Sequence, residues 1–335
     1  MRKIFSFIFI VVMATLVLAG CSSNSQSTSG EAADEQNSSS DFPNKPINMI
    51  VAYSAGGGTD TSARTLQPFL EDELGVTVNV INKPGGAGWV GWMELANAKP
   101  DGYTIGYLNS PNIASGLVNP TMERSIGLGD FVTLGNQVAD PGAIAIRKDE
   151  DRFKNFKELI AYAKKHEVTT TATGVAGDSH LITLKLNKML GTKFRPVQFD
   201  STANSRSAFL GGHVDVLVTS VGEAYTLHEN KQLKMVAVTA EERSPFVPDV
   251  PTTEEAGFEP VISMSTRGLA APKGLDPEKV EILRDALEKA IKNEKHVKKM
   301  KELGTAVLYK SGEEYMELLQ KDLESIKGLK DLLGW

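Results

Sequence analysis

The chain has 335 residues, a formal net charge of −6 and a single cysteine. The acidic balance argues against nucleic acid as a partner, and one cysteine allows neither an internal disulfide nor a cysteine-based metal cluster. Residues 42–335 are numerous enough for two lobes of ordinary domain size.

The first residues have the pattern of a secretory signal peptide. Arg2 and Lys3 precede an uncharged apolar run from Ile4 to Leu18, and Ala19-Gly20-Cys21 follow. The end of this segment resembles the lipobox of bacterial lipoproteins. That resemblance implies that residues 1–20 are removed and that Cys21 carries a lipid anchor. A membrane anchor that is not cleaved is the alternative.

Residues 21–41 are rich in Ser, Asn, Gln and Gly and contain no aromatic residue. Such a segment cannot bury enough apolar surface to fold, so we predict a flexible tether. A lipid and a tether would hold the folded part outside the cell, close to the membrane. This arrangement is best suited to the surface of a Gram-positive cell.

Apolar runs typical of strands alternate with segments of helical periodicity through most of residues 42–335. This alternation predicts an α/β fold. The predicted strands are 47–53, 76–81, 103–108, 142–146, 168–172, 214–220 and 235–239, and the predicted helices are 61–74, 89–98, 155–166, 181–190, 276–303 and 313–333.

A glycine-rich turn links the first predicted strand to the first predicted helix. A helix start leaves backbone N–H groups unpaired at the positive end of the helix dipole, and glycines let a ligand approach them. Neither nucleotide-phosphate glycine motif occurs here. The alternative is a plain turn in which Asp60 or Thr59 caps the helix. The candidate ligand residues in this turn are Ser54, Ala55, Gly56, Gly57, Gly58, Thr59, Asp60 and Thr61.

A second turn of the same chemistry precedes the helix at 181–190. For Asp178 a helix cap is the alternative, and direct contact is expected if the ligand carries an ammonium group. His180 is expected to orient this turn, and donation to the ligand is the alternative. Asn109 and Ser220 follow other predicted strands, where open α/β sheets bind ligands. These candidate ligand residues are Asn109, Thr173, Gly174, Gly177, Asp178, Ser179 and Ser220.

Arg64 is the obvious charge partner for an anionic ligand, but its position predicts another role. It follows Asp60 by four residues, and helical side chains lean toward the N-terminus. We therefore predict an ion pair between Arg64 and Asp60 that holds the first turn.

Many short motifs of the chain resemble, in order, those of the extracytoplasmic solute-binding proteins of tripartite tricarboxylate transporters. They include AGGGTDTSAR, NKPGGAG, AKPDGYTIGY, GDSHL, LGGHVDV, VAVTAEER and VPDVPTTEEAGF. The resemblance implies a two-lobed type II periplasmic-binding-protein fold with the ligand cleft between the lobes. It places lobe 1 in residues 42–141 and 263–335 and lobe 2 in residues 142–262.

The resemblance also implies a function. Such proteins bind a small carboxylate between the two glycine turns and deliver it to a membrane permease. Their ligands are citrate or other di- and tricarboxylates, some amino acids, or aromatic carboxylates. We expect a monomer without a cofactor. Ala176, where a glycine is usual, departs from the family pattern.

Two other functions are compatible with such a chain. The same fold could present its ligand to a membrane histidine kinase as a sensor. A hydrolase using Asp60 and Asp178 is the remote alternative, and we predict that the protein is not an enzyme. The motifs GxSxG and HExxH are absent, and the five histidines show no metal-ligand spacing.

Overall fold

The structure, a computed structural model, describes residues 41–334. The predicted signal peptide, Cys21 and the predicted tether up to residue 40 lie outside the described residues. In chain order the elements are β1 (Ile47–Val51), α1 (Gly58–Leu74), β2 (Val78–Asn82), α2 (Trp89–Ala96), β3 (Thr104–Ser110), α3 (Asn112–Val118), β4 (Phe131–Arg147), α4 (Phe156–Ala163), β5 (Val168–Thr173), α5 (Asp178–Leu190), β6 (Phe194–Phe199), α6 (Thr202–Leu210), β7 (Val216–Ser220), α7 (Val221–Glu229), β8 (Leu233–Thr239), β9 (Met264–Pro272), α8 (Pro277–Lys292), α9 (Glu294–Glu302), β10 (Val307–Ser311), α10 (Gly312–Lys327) and α11 (Lys330–Leu333).

The strands form a continuous sheet in the order β2-β1-β3-β9-β4-β7-β5-β6, and β8 and β10 also pair with β4. Strand β4 is shared between two parts of this sheet. Its residues 131–141 pair with β9, and from Gly142 onward it pairs with β7 and β8. We call the part on the β1 side the first half and the part on the β5 side the second half. The proposed lobe boundaries stay a prediction.

In each half a glycine turn follows a parallel strand. Strand β1 pairs in parallel with β2 and β3, and β5 pairs in parallel with β6 and β7. The chain leaves the carboxyl end of β1 into α1 and the carboxyl end of β5 into α5. The two turns therefore lie at the edge of the sheet where open α/β sheets bind ligands.

The core is built from the apolar faces that the sequence predicts. On α1 the buried residues include Ala63, Leu66, Leu70 and Leu74, which recur at helical spacing. They pack in one cluster with apolar residues of β1 and α8. Burying each large aliphatic side chain contributes about 1.5–3 kcal/mol, so this face holds α1 firmly against the sheet.

The sequence prediction failed for strand β9 and for the first part of β4. Both are central strands that carry polar side chains, and this hides the apolar pattern of a buried strand. Their polar groups find partners far away in the sequence. For example, the Tyr107 hydroxyl donates to Gln137 Oε1 of β4 at 2.6 Å.

Two long predicted helices are interrupted. The helix predicted over 276–303 is divided at Asn293, whose side chain accepts from the Lys295 N–H and caps α9. The helix predicted over 313–333 ends at Lys327, and a short helix, α11, follows. The predicted start at Asp276 and Pro277 is confirmed, because Asp276 caps α8 and Pro277 is its first residue.

Candidate functional site

A narrow polar cavity lies where the two glycine turns, the start of α7 and strand β9 come together. Its volume is about 30 Å³, which is space for water rather than for an organic ligand. Both halves of the sheet contribute to its lining. The lining residues are Tyr53, Gly57, Gly58, Thr59, Asn109, Asn112, Thr173, Asp178, Thr202, Glu223, Ser265 and Arg267.

Asp60 is the centre of the first turn. Its carboxylate accepts from the Gly56 N–H at 2.9 Å, from Arg64 Nε at 3.0 Å and from Asn82 Nδ2 at 2.9 Å. Burial favours its neutral form, but the hydrogen bonds from Arg64, Gly56 and Asn82 outweigh burial and hold the pKa of Asp60 below its ordinary value. The predicted ion pair between Arg64 and Asp60 is confirmed.

The alternative in which Asp60 or Thr59 caps α1 is wrong. The helix starts earlier than predicted, at Gly58, and its N-cap is Gly57, which makes no side-chain cap. Because Asp60 is already inside the first turn of the helix, its carboxylate reaches back to Gly56 instead.

A carboxylate of the chain itself occupies the N-terminus of α1. The Gly58 N–H donates to Glu223 Oε1 at 3.1 Å, and the Thr219 hydroxyl donates to Glu223 Oε2 at 2.6 Å. Glu223 belongs to α7 in the second half, so this contact joins the two halves. The predicted ability of the turn to hold an anion is thus used within the protein.

Arg267 on β9 is buried beside this carboxylate. Its Nη2 lies 3.4 Å from Glu223 Oε1, 3.5 Å from Asp140 Oδ2 and 3.3 Å from the Ser220 hydroxyl. Burial disfavours the charge, but the carboxylates of Glu223 and Asp140 outweigh it and keep the pKa of Arg267 above its ordinary value. A permanently charged guanidinium therefore lines the cavity.

Ser220 belongs to the network behind Arg267 rather than to the cavity wall. Its hydroxyl donates to Asp140 Oδ2 at 2.6 Å, and the Gly222 N–H donates to Asp140 Oδ1 at 3.1 Å. These bonds satisfy the buried Asp140 carboxylate beside Arg267.

The second turn is held by its own backbone contacts. The Thr173 N–H donates to the Ser179 hydroxyl at 2.9 Å, and the Ala176 N–H donates to His180 Nδ1 at 2.8 Å. The latter bond agrees with the expected orienting role of His180. Ala176 lies in the left-handed region at φ 56°, a conformation that glycine adopts more easily.

Asp178 does not cap α5, because Gly177 is the N-cap and makes no side-chain cap. The alternative in which Asp178 caps the helix is therefore wrong. Burial and, secondly, the charge of Glu223 raise the pKa of Asp178 to about 6. Among the described residues its carboxylate forms no ion pair, and it accepts a hydrogen bond from the Ser179 N–H.

A larger cavity adjoins the polar cavity, with Asn112 lining both. Its volume is about 590 Å³, which is in the range of small-molecule sites. The Arg124 guanidinium lies over the Trp89 ring at 4.1 Å from its centroid. The other lining residues are Gly86, Ala87, Gly116, Met122, Gly174, Val175, Gln198, Phe199, Asp200 and Asn204.

The structure brings some of the predicted ligand residues together at the polar cavity and leaves others outside it. Gly56 and Thr61 line a neighbouring cavity beside Arg206, and Gly174 lines the larger cavity. Those at the polar cavity are Gly57, Gly58, Thr59, Asn109, Thr173 and Asp178. Those not among its lining residues are Ser54, Ala55, Gly56, Asp60, Thr61, Gly174, Gly177, Ser179 and Ser220.

Several cavity residues were missing from the predicted set. Tyr53 ends the first predicted strand, and Thr202, Ser265 and Arg267 come from segments in which the sequence showed no motif. The sequence offered one indication for Arg267. It is an isolated arginine in a run that ends in Gly-Leu-Ala-Ala, and an arginine buried in such a run needs a charged partner.

Residues 62–334 match the sequence model of a family described as the tripartite tricarboxylate transporter family receptor. The chain belongs to this family. A relative from Cupriavidus necator, described as the UPF0065 protein in the gbd 5′ region, is 29% identical over 295 residues, which cover 88% of this chain and 89% of that protein.

Solved structures of the family share the fold. The periplasmic binding protein BugD is 30% identical and superimposes with a TM-score of 0.80 over 88% of this chain and 99% of its own. MatC from Rhodopseudomonas palustris, solved with bound malate, is 25% identical with a TM-score of 0.80, covering 87% of this chain and all of its own. The predicted α/β periplasmic-binding-protein fold is confirmed.

Membership of this receptor family also distinguishes between a binding protein and an enzyme. The chain is an extracytoplasmic solute-binding receptor and not an enzyme, so the alternative of a hydrolase using Asp60 and Asp178 is set aside. Among residues 41–334 no helix has the length and apolar character to cross a membrane.

Proposed function

We infer that this receptor captures a small carboxylate, such as a di- or tricarboxylate or a related organic acid, and delivers it to the permease of a tripartite tricarboxylate transporter. Family membership supports the transporter, and the malate bound to its relative MatC supports the ligand class. The lipid anchor on Cys21 would keep the loaded receptor near the permease.

One observation carries this proposal. The polar cavity combines the charged guanidinium of Arg267 with hydroxyls of both halves, including Thr59 and Thr173, and with the N-terminus of α1. All of these are donors that bind carboxylates. The Gly58 N–H already binds one carboxylate, that of Glu223, which supports its use for another.

Ligand binding requires the cavity to open, because about 30 Å³ cannot hold even a small dicarboxylate. Several contacts between the halves close it, among them the bond from Gly58 to Glu223 and the bond from Arg206 Nη2 to the Gly56 carbonyl at 3.0 Å. We propose that these two bonds break when the cleft opens, and that the ligand takes over donors of the first turn.

Calorimetry with a panel of mono-, di- and tricarboxylates tests the ligand class. Binding at a hundredfold excess over Kd should add about 2.7 kcal/mol of stability, which a thermal shift also reports. A response to sugars or nucleotides and to no carboxylate would contradict the proposal.

Uptake of the labelled ligand tests delivery. Membrane vesicles that carry both the permease and the receptor should accumulate the labelled ligand, and vesicles that lack either protein should not. Binding without uptake would favour the sensor alternative. The wild type is expected to partition into the detergent phase with a lipid on Cys21, whereas Cys21→Ala is expected to block lipidation and signal cleavage at that site. Mass spectrometry checks both.

A further inference from the structure

The charged groups around the polar cavity are predominantly acidic. Asp178 on α5 and Glu223 on α7 line the cavity, and Asp140 of β4 lies directly behind its single lining cation, Arg267. Three carboxylates thus surround one guanidinium. The Tyr53 phenol also interacts with Asp178, and the guanidinium of Arg206 on α6 lies beside Glu223.

The three acids differ in how many hydrogen-bond donors and cations their carboxylates contact. Glu223 is held by the Gly58 N–H, the Thr219 hydroxyl and Arg267, and Asp140 by Ser220, Gly222 and Arg267. Asp178 has no such set of partners. Arg267 forms its ion pairs with the other two acids and none with Asp178.

A second acceptor at the cavity also has no donor. Asn109 gives its amide N–H to the Thr59 hydroxyl at 2.8 Å, but its Oδ1 is buried and accepts no hydrogen bond among the described residues. Both Asn109 and Asp178 line the polar cavity. Buried acceptors of this kind are costly unless a donor meets them.

We propose that the ligand carries an ammonium group, which pairs with the Asp178 carboxylate and donates to Asn109 Oδ1. An ammonium group offers three donors and one positive charge, which are the partners that Asn109 Oδ1 and the Asp178 carboxylate lack among the described residues. The substrate class is therefore a carboxylate that also bears an amine, as α- and ω-amino acids do. This inference rests on the proposed function and narrows its ligand class.

Matched ligand pairs that differ only in the amine test the proposal. We would titrate the full-length receptor in detergent at pH 8 with aspartate and succinate, glutamate and glutarate, alanine and propionate, and γ-aminobutyrate and butyrate. In every pair that binds, the amino member should bind at least tenfold tighter, because only it compensates the charge of Asp178.

The variant Asp178→Asn should lose at least tenfold in affinity for the amino member and little for its partner. In the wild type the affinity for the amino member should also fall as the pH drops through about 6, where Asp178 becomes protonated. The control is Asp149→Asn, which changes an acid whose side chain is 88% exposed and is not among the residues that line the cavity. This control variant should leave the affinities for the amino member and for its amine-free partner unchanged.

The outcomes separate this inference from the proposed function. If succinate or another amine-free acid binds as tightly as its amino counterpart, or if Asp178→Asn keeps the preference, the inference is overturned and carboxylate capture stands. If no member of the panel, nor malate or citrate, binds to the wild type, both are overturned. Circular dichroism confirms that the variant is folded.

Discussion

The turn from β1 into α1 and the turn from β5 into α5 both contain glycines, hydroxyl residues and one aspartate, but the two aspartates have opposite environments. Asp60 is followed four residues later by Arg64, which binds it, whereas Asp178 is followed by Ile182, which is buried in the core. The pKa of Asp60 is lowered and that of Asp178 is raised to about 6. A shared motif therefore gives one self-contained turn and one turn with an uncompensated acid.

The largest effect is expected from the two N-cap glycines, Gly57 and Gly177. A Cβ at Gly177 would lie 2.3 Å from the Thr173 carbonyl oxygen, whereas at Gly57 its nearest neighbour is the Ser54 carbonyl oxygen at 3.5 Å. Both have negative φ, so only the space differs. Gly177→Ala should cost about 3 kcal/mol in urea unfolding, and Gly57→Ala close to nothing. Equal losses would show that the two turns are packed alike.

The next effect is expected at Asp60. Asp60→Asn removes the charge from the hydrogen bonds to Gly56 and Arg64 and should lower the free energy of unfolding by about 2 kcal/mol at pH 7. Because the folded-state pKa is lowered, the native contribution is present above the ordinary pKa and fades as the pH falls through the lowered value. The loss should therefore shrink in acid, and a loss independent of pH would contradict this account.

The same substitution in the second turn should have the opposite sign. The raised pKa of Asp178 means that the folded protein binds more protons than the unfolded chain between about pH 4 and 6. Its charge therefore opposes folding above pH 6. Asp178→Asn should stabilise the ligand-free protein by about 1–2 kcal/mol at pH 8 and leave it unchanged at pH 4. Destabilisation at pH 8 would mean that Asp178 has a cationic partner.

The smallest effect is expected for Arg64→Gln. The Arg64 side chain is 49% exposed, so solvent weakens its pair with Asp60. The variant should lose less than about 1 kcal/mol in thermal unfolding, and its ligand affinity should change only a few-fold. A hundredfold loss of affinity in a folded variant would instead place Arg64 on the ligand.

Local patterns in the sequence were sufficient for several features. The alternation of elements gave the α/β fold, and the spacing of Asp60 and Arg64 gave their ion pair, because each depends on residues close together in the chain. The two turns could likewise be placed at one edge of the sheet from the strand-to-helix order alone.

The charged centre of the site could not be found in this way. Arg267 meets Asp140 across 127 residues of sequence, and Gly58 meets Glu223 across 165. Such contacts depend on the antiparallel pairing of β4 with β9 and on how the halves of the sheet pack. The sequence pattern does not predict either strand, because buried polar residues interrupt the apolar run.

Ala176 adds a consequence for the thermodynamics of binding. A non-glycine residue in the left-handed region costs about 1–2 kcal/mol, and here the bonds to His180 and from the Ser115 hydroxyl to the Ala176 carbonyl hold it there. A glycine would relieve this strain but would let the free loop explore more conformations. Since the loop is already fixed beside Asp178, a ligand has less chain entropy to remove when it binds. The strained alanine thus lowers the stability of the empty receptor and makes the conformational entropy of ligand binding less unfavourable.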